Sequence, residues 1–205
     1  MDLKAILRPL QSCPCGRTHS FVTETVRVEN GLVSRVGAAL GEAGFPKRIL
    51  LVSDENAMQA SPGLLESLLD AGFSVEQKLW PDMKYARIEQ VRELEALCPS
   101  VDGVLSVGTG SVNDICRVAA HRAGKAFAIF ATAPSMDGFA SDTAPIVEGN
   151  FKTSLKAEQP SVILADTAVL AAAPAELKAA GFGDMVAKYL AMAEWRIANL
   201  LIGEY

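Results

Sequence analysis

Four stretches of the chain carry side chains whose types and spacing could do chemistry. Gly108-Thr109-Gly110-Ser111-Val112-Asn113-Asp114 follows an apolar run and opens a helix-forming one. Glycines at a strand-to-helix turn let backbone N–H groups approach a pyrophosphate, and the helix N-terminus adds partial positive charge. The spacing is not G-x-G-x-x-G, since Asn113 stands where the third glycine would be, and no Gly-Lys-Ser/Thr follows as in a Walker A loop. A tight turn with Ser111 as N-cap is the competing explanation. Thr132-Ala133-Pro134-Ser135-Met136-Asp137-Gly138-Phe139-Ala140-Ser141 gathers hydroxyls, a carboxylate and two conformation-setting residues after the next apolar run. Such loops are where sites form, although an ordinary polar loop has the same composition. In Gly181-Phe182-Gly183-Asp184-Met185-Val186-Ala187-Lys188, Asp184 is read as opening an otherwise apolar helix. There it could cap the helix, pair with Lys188 one turn on, or bind a metal. Cys13-Pro14-Cys15-Gly16-Arg17-Thr18-His19 could hold zinc, but it offers only three ligands at an unusual C-x-C spacing, and a surface turn is the simpler account.

The elements that must position these groups follow from hydropathy. Apolar runs at 48–54, 103–108 and 126–131 predict buried strands, with further strands near 74–79 and 161–166. Helical stretches are expected at 56–71 (broken by Pro62 and closed by Gly72), 86–97 and 111–123. This alternation predicts βαβ units: an α/β fold with a parallel sheet covered by helices on both faces. Residues 143–147 and 151–155 flank Glu148-Gly149-Asn150 as a hairpin. Beyond Pro174 the chain turns helical, and 185–202 is apolar on nearly every side, with Lys188, Glu194 and Arg196 as its only charges. A helix apolar all round belongs inside a helical domain. The reading is therefore an α/β domain over 1–172, then the beginning of an α-helical domain over 173–205. The first 20 residues resist classification.

Composition narrows the class. The chain has 205 residues, 50% apolar and 21% charged, which excludes global disorder. A net charge of −5 offers no basic footprint for nucleic acid or an anionic membrane. No apolar run is long enough to span a bilayer. Met1-Asp2-Leu3-Lys4 does not read as a signal peptide, so a cytoplasmic setting is the default expectation. Four cysteines do not make a disulfide framework.

Taken together, these stretches resemble the glycerol-1-phosphate dehydrogenase family, in the group that also holds glycerol dehydrogenase, iron-containing alcohol dehydrogenases and dehydroquinate synthase. The resemblance runs from about residue 48 to 205. Thr-Ala-Pro-Ser-Met-Asp-Gly, the most discriminating motif, Gly-Ser-Val-Asn-Asp and Gly-Asp-x-x-Ala-Lys-Tyr stand in the family's order and at its separations. It implies a Rossmann-like NAD(P)-binding domain, a helical domain, and an active site between them. The implied reaction is hydride transfer between reduced nicotinamide and dihydroxyacetone phosphate, giving sn-glycerol 1-phosphate for phospholipid biosynthesis. A homo-oligomer with a phosphorylated triose substrate is implied for the full-length enzyme.

Carried over by position, Gly108, Gly110, Ser111, Val112, Asn113 and Asp114 would lie along the cofactor pyrophosphate. Thr132, Ala133, Pro134 and Ser135 would line the nicotinamide side, and Ser141 would also touch the cofactor. Asp54 would sit near the adenosine ribose, favouring NAD over NADP because a carboxylate repels a 2′-phosphate. Asp137 would bind substrate. Asp184 would act in catalysis as the first protein ligand of a divalent metal, zinc foremost, with nickel or iron compatible.

Family members complete that metal site with two histidines downstream, whereas His19 and His121 here lie upstream of Asp184. The expectation is the N-terminal part of a longer enzyme, which by itself binds NADH weakly and does not turn over. Two alternatives stand beside it. One is a non-catalytic nucleotide-binding module whose apolar helix docks on a partner. The other is a related glycerol dehydrogenase or dehydroquinate-synthase-like lyase, against which Ser135-Met136-Asp137-Gly138 argues. The dehydrogenase reading requires the stretches beginning near Gly108, Thr132 and Gly181 to converge on one crevice.

Overall fold

A computed structural model describes residues 3–15 and 18–203. In chain order its elements are α1 (Leu3–Leu7), β1 (Thr25–Glu29), α2 (Val36–Glu42), β2 (Arg48–Asp54), α3 (Glu55–Gln59), α4 (Leu64–Asp70), β3 (Ser74–Trp80) and α5 (Ile88–Leu97). Then follow β4 (Gly103–Gly108), α6 (Gly110–Arg122), β5 (Ala126–Ala131), β6 (Thr143–Glu148), β7 (Phe151–Lys156), β8 (Val162–Asp166), α7 (Thr167–Ala172) and α8 (Ala175–Ile202). Short 3-10 turns fill several of the gaps.

Six strands form one sheet in the order β1-β8-β5-β4-β2-β3, and every pairing is parallel. Continuous apolar runs make β4 and β8 because both faces of those strands are buried. Alternate residues feed two cores. Leu50, Val52, Val104 and Ile129 pack under α5 and α6 on one face. Ile49, Leu51, Leu105, Phe130 and Leu164 pack with residues of α2 and α4 on the other. The two helices of that second layer touch closely: a Cβ on Gly37 would lie 2.1 Å from the Ser67 carbonyl oxygen.

The chain reverses its direction of travel across the sheet between β2 and β4, because β3 lies on one side of β2 and β4, β5 and β8 lie on the other. Ligands of open α/β sheets bind outside the carboxyl ends of the strands at such a switch point. Asp54 and Gly108 are the terminal residues of the two strands that flank it.

The break at Pro62 falls as read: residues 60–63 separate α3 from α4, with Gly63 at φ +83°. Four elements went unread: α1, β1, α2 and α7. β1 is an edge strand whose Arg27 and Glu29 pair with each other, so it lacks a buried strand's apolar run. The hairpin falls as read: β6 and β7 are antiparallel around Gly149 at φ +58°. It contributes Ala144 and Ile146 to the core under α6.

Asp184 does not open a helix. α8 already begins at Ala175, with Pro174 as N-cap, so Asp184 lies well inside it. Nor is the apolar length of α8 enclosed, since Leu190, Trp195 and Leu200 are 70%, 72% and 83% exposed. Among the described residues, no helix is long and apolar enough to cross a membrane.

Candidate active site

The loops at the carboxyl edge of the sheet are built around α6. Its N-cap is Thr109, which makes no side-chain capping bond. The expected Ser111 cap is therefore not formed; the Ser111 hydroxyl instead donates to the Lys84 carbonyl at 3.2 Å. The N–H groups of the first turn have no intrahelical acceptor and face the loop edge as anion donors. Val112 and Asn113 are buried; Val112 can offer a ligand only its backbone N–H, and the Asn113 N–H is already spent on the Thr109 carbonyl at 3.0 Å. Asn113 Oδ1 accepts from Ser106, while its Nδ2 is a buried donor without a partner. Burial pushes the Asp114 carboxyl up to about 6, against the opposing charges of Arg117 and Lys152.

One turn further along α6, Arg117 is 1% exposed and holds the loop that follows β5. Its Nη2 donates to the carbonyls of Gly138 (2.9 Å) and Phe139 (3.0 Å). Its Nη1 donates to those of Ser141 and Thr143. Burial lowers the guanidinium pKa, and the charges of Asp114 and Asp142 oppose that shift. No sequence reading singled out Arg117. The available signal was an arginine set between Ile115-Cys116 and Val118-Ala119-Ala120, where a charge enters a core only for a dedicated partner set.

α8 meets the same loop through Gly181, where a Cβ would stand 1.9 Å from the Pro134 carbonyl oxygen. That close approach brings Asp184 to Asp137: the Asp137 backbone N–H donates to Asp184 Oδ2 at 2.8 Å. Lys188 Nζ lies 3.0 Å from Asp137 Oδ2 and 3.8 Å from Asp184 Oδ1. The Asp137 N–H, with Lys188 adding to it, outweighs desolvation and holds the Asp184 carboxyl below its usual range. Asp137 in turn raises the Lys188 ammonium. The stretches around Gly108, Thr132 and Gly181 thus meet at one edge of the molecule.

Two clefts open there. One, of about 480 Å³, is lined by Asp54, Thr109, Thr132 and Ala133, with Ala173 and Pro174 ahead of α8. Asp54 spends Oδ1 capping α3, on the Ala57 N–H at 2.8 Å. The other, of about 430 Å³, is lined by Gly110, Ser111, Asp114, Asp137, Ser141 and Asp184. Gly108, Pro134 and Ser135 line neither of these two clefts. Gly108 is buried against Val112, and the Pro134-Ser135 backbone packs on Gly181.

An uncapped helix N-terminus at the switch point fits a dinucleotide pyrophosphate, while Gly110 itself packs on Met136, whose Sδ would lie 3.0 Å from an added Cβ. Among the described residues, no set of three ligands gathers at Asp184 to hold a metal. Asp184 is engaged by an N–H and an ammonium, and catalytic zinc sites use three protein ligands. Among the described residues, Cys13, Cys15 and His19 are the one group of three or more His, Cys, Asp or Glu close enough to share an ion.

Comparison with known proteins agrees with this architecture. The family described as iron-containing alcohol dehydrogenase matches residues 27–174. Glycerol-1-phosphate dehydrogenase [NAD(P)+] of Bacillus velezensis is 36% identical over 161 residues, which cover 76% of this chain and 41% of that protein. The protein of the same name from Methanothermobacter thermautotrophicus is 33% identical over 175 residues, covering 85% of this chain and 50% of that one. The chain thus spans about half the length of the curated relatives it matches. Glycerol dehydrogenase from Schizosaccharomyces pombe superposes with a TM-score of 0.74 at 19% identity, over 85% of this chain and 45% of that one. NADH-dependent butanol dehydrogenase A from Thermotoga maritima gives the same TM-score and identity, over 85% and 50%. These two likenesses concern the fold. With nearly three quarters of its length matched by the family pattern, the chain belongs to the iron-containing alcohol dehydrogenase family.

Proposed function

We propose that this chain supplies the nucleotide-binding domain and one wall of the active site of an NAD(P)-dependent dehydrogenase. The reaction would interconvert dihydroxyacetone phosphate and sn-glycerol 1-phosphate. The observation that carries the reading is the meeting of Asp137, Asp184 and Lys188 beside the N-terminus of α6. The relatives, named as glycerol-1-phosphate dehydrogenases, supply the substrate class. Residues from 173 onward would begin the helical domain that closes the other wall. A cytoplasmic, homo-oligomeric enzyme belongs to the same proposal.

In this reading the first-turn N–H groups of α6 hold the pyrophosphate, and Asp54 accepts from the ribose 2′-hydroxyl, so NAD is preferred. Thr132 and Ala133, which line the larger cleft, would flank the nicotinamide, Pro134 and Ser135 would hold that loop on α8, and Ser141 would face the cofactor from the second cleft. Asp137 accepts a hydroxyl hydrogen of the substrate and so fixes the carbonyl carbon against the nicotinamide. When bound, the reduced nicotinamide would supply a hydride to that carbon and be left as NAD⁺, with a solvent proton completing the alcohol. The charge building on oxygen calls for a Lewis acid or a hydrogen-bond donor, which the residues of this chain do not complete.

Two measurements test the proposal. Calorimetric titration should show weak NADH binding by the 205-residue chain, tighter than NADPH binding. Ser111→Glu should abolish it by placing a negative charge at the anion site. NADH binding indifferent to Ser111→Glu would refute the placement. In the catalytic assay, oxidation of NADH should require dihydroxyacetone phosphate; equal rates with unphosphorylated dihydroxyacetone would refute the substrate.

A further inference from the structure

Cys13, Cys15 and His19 have no part in the site just described. Their ligand atoms, two Sγ and one ring nitrogen, all lie within 4.8 Å of one another, and Cys15 Sγ is 3.1 Å from His19 Nε2. Tetrahedral zinc, with Zn–S near 2.3 Å and Zn–N near 2.0 Å, spaces its ligand atoms by about 3.5 Å. Small side-chain movements therefore close the set around an ion. Neither cysteine is in a disulfide. Cys13 is half-buried while Cys15 and His19 are exposed, so the cluster lies within reach of solvent. Two thiolates with an imidazole form a soft donor set that selects zinc over magnesium or calcium.

Position separates this cluster from the clefts. The chain leaves it through Val22 and Thr23, just ahead of β1. The Val22 N–H is tied to Gln159 Oε1 at 2.9 Å and the Thr23 hydroxyl to the Pro160 carbonyl at 2.7 Å, just ahead of β8. Both anchors belong to the amino-terminal edge of the parallel sheet, opposite the edge that carries the clefts. We propose that Cys13, Cys15 and His19 bind one zinc ion, with water in the fourth position, and that the ion fixes the path of the N-terminal segment into β1. This inference is independent of the dehydrogenase reading.

The test uses the full chain, purified without a polyhistidine tag, fully reduced and stripped of metal. Cobalt(II) is titrated in as a spectroscopic stand-in and then displaced with zinc. The expected result is a thiolate-to-cobalt charge-transfer band that saturates at one ion per chain and disappears on zinc addition. Cys13→Ser and Cys15→Ser should each remove the band with the circular dichroism of the α/β domain unchanged. His19→Asn should weaken binding by about 100-fold, and Asp184→Asn should leave it unaltered. Three results would overturn the proposal: no band from the reduced wild-type chain, a band that survives Cys13→Ser with Cys15→Ser, or saturation at one ion per two chains.

Discussion

Substituting Gly181 and Gly183 separately by alanine should move stability in opposite directions, although they lie two residues apart on one helix. At Gly181 an added Cβ would stand 1.9 Å from the Pro134 carbonyl oxygen. Carbon–oxygen contact distances begin at about 3.3 Å, so helix and loop must separate by about 1.4 Å. The same separation would stretch the 2.8 Å bond between the Asp137 N–H and Asp184 to about 4 Å, beyond hydrogen-bond reach. Gly181 is the one buried residue of α8, so the clash falls on the helix's closest approach to the loop. Overpacking costs about 1–3 kcal/mol and the lost bond adds about 1 kcal/mol, against a helix-propensity gain of about 1 kcal/mol.

A net loss of about 2 kcal/mol lowers Tm by about 4–8 °C for a chain of this size. Gly183 has nothing within 4 Å of its added Cβ. Gly183→Ala should therefore gain about 0.5–1 kcal/mol from helix propensity alone and raise Tm by about 1–4 °C. Thermal unfolding followed by circular dichroism reads both shifts, and hydrogen exchange at the Asp137 amide reports the broken contact. If Gly181→Ala raised Tm as Gly183→Ala does, or left Asp137 protected, the packing argument would be wrong.

Other perturbations probe the same edge. The Asp114 carboxyl sits at about 6 in the fold against an ordinary 3.8, so the folded chain holds this proton longer than the unfolded one. Its contribution to stability is full below pH 3.8 and is lost as pH rises through about 6, on the order of 3 kcal/mol in all. Asp114→Asn should flatten that part of the stability curve and make the protein more stable at about pH 7 by on the order of 2 kcal/mol. Parallel urea-melt curves for the two proteins from about pH 4 to 7 would count against it. Arg117→Lys keeps a charge but cannot serve the carbonyls of Gly138, Phe139, Ser141 and Thr143 together. It should cost about 3 kcal/mol and speed amide exchange across 138–143, whereas unchanged exchange would show that the arginine does not hold the loop.

Legibility in the sequence followed burial. β2, β4, β5 and β8 were readable as runs because helices and hairpin cover both faces of the sheet, so no polar residue need interrupt them. β1 was not, because Arg27 has Glu29 and Glu42 as partners and an edge strand can carry such a trio in solvent. The onset of helix at Pro174 was legible, but Asp184 was misread as opening a helix of its own. Gly181 and Gly183, just ahead of it, lower helix propensity. The tertiary contact with Pro134 requires the glycine, and propensity gave way to packing.

The site itself shows where one-dimensional spacing stops informing. Asp184 and Lys188 stand four residues apart, so a helical pair between them could be read directly. In the fold that pair is the longer contact, at 3.8 Å, while Lys188 reaches Asp137 at 3.0 Å. A single ammonium thus lies between two carboxylates that are distant in sequence, and the Asp137 N–H turned toward Asp184 relieves the repulsion between them. This joins a loop from the sheet to a helix outside it through one N–H and one cation. The orientation of the Asp137 carboxylate consequently depends on α8 as much as on the loop that carries it. Its position follows from Gly181 admitting the loop to the helix and Arg117 gripping the loop beyond it.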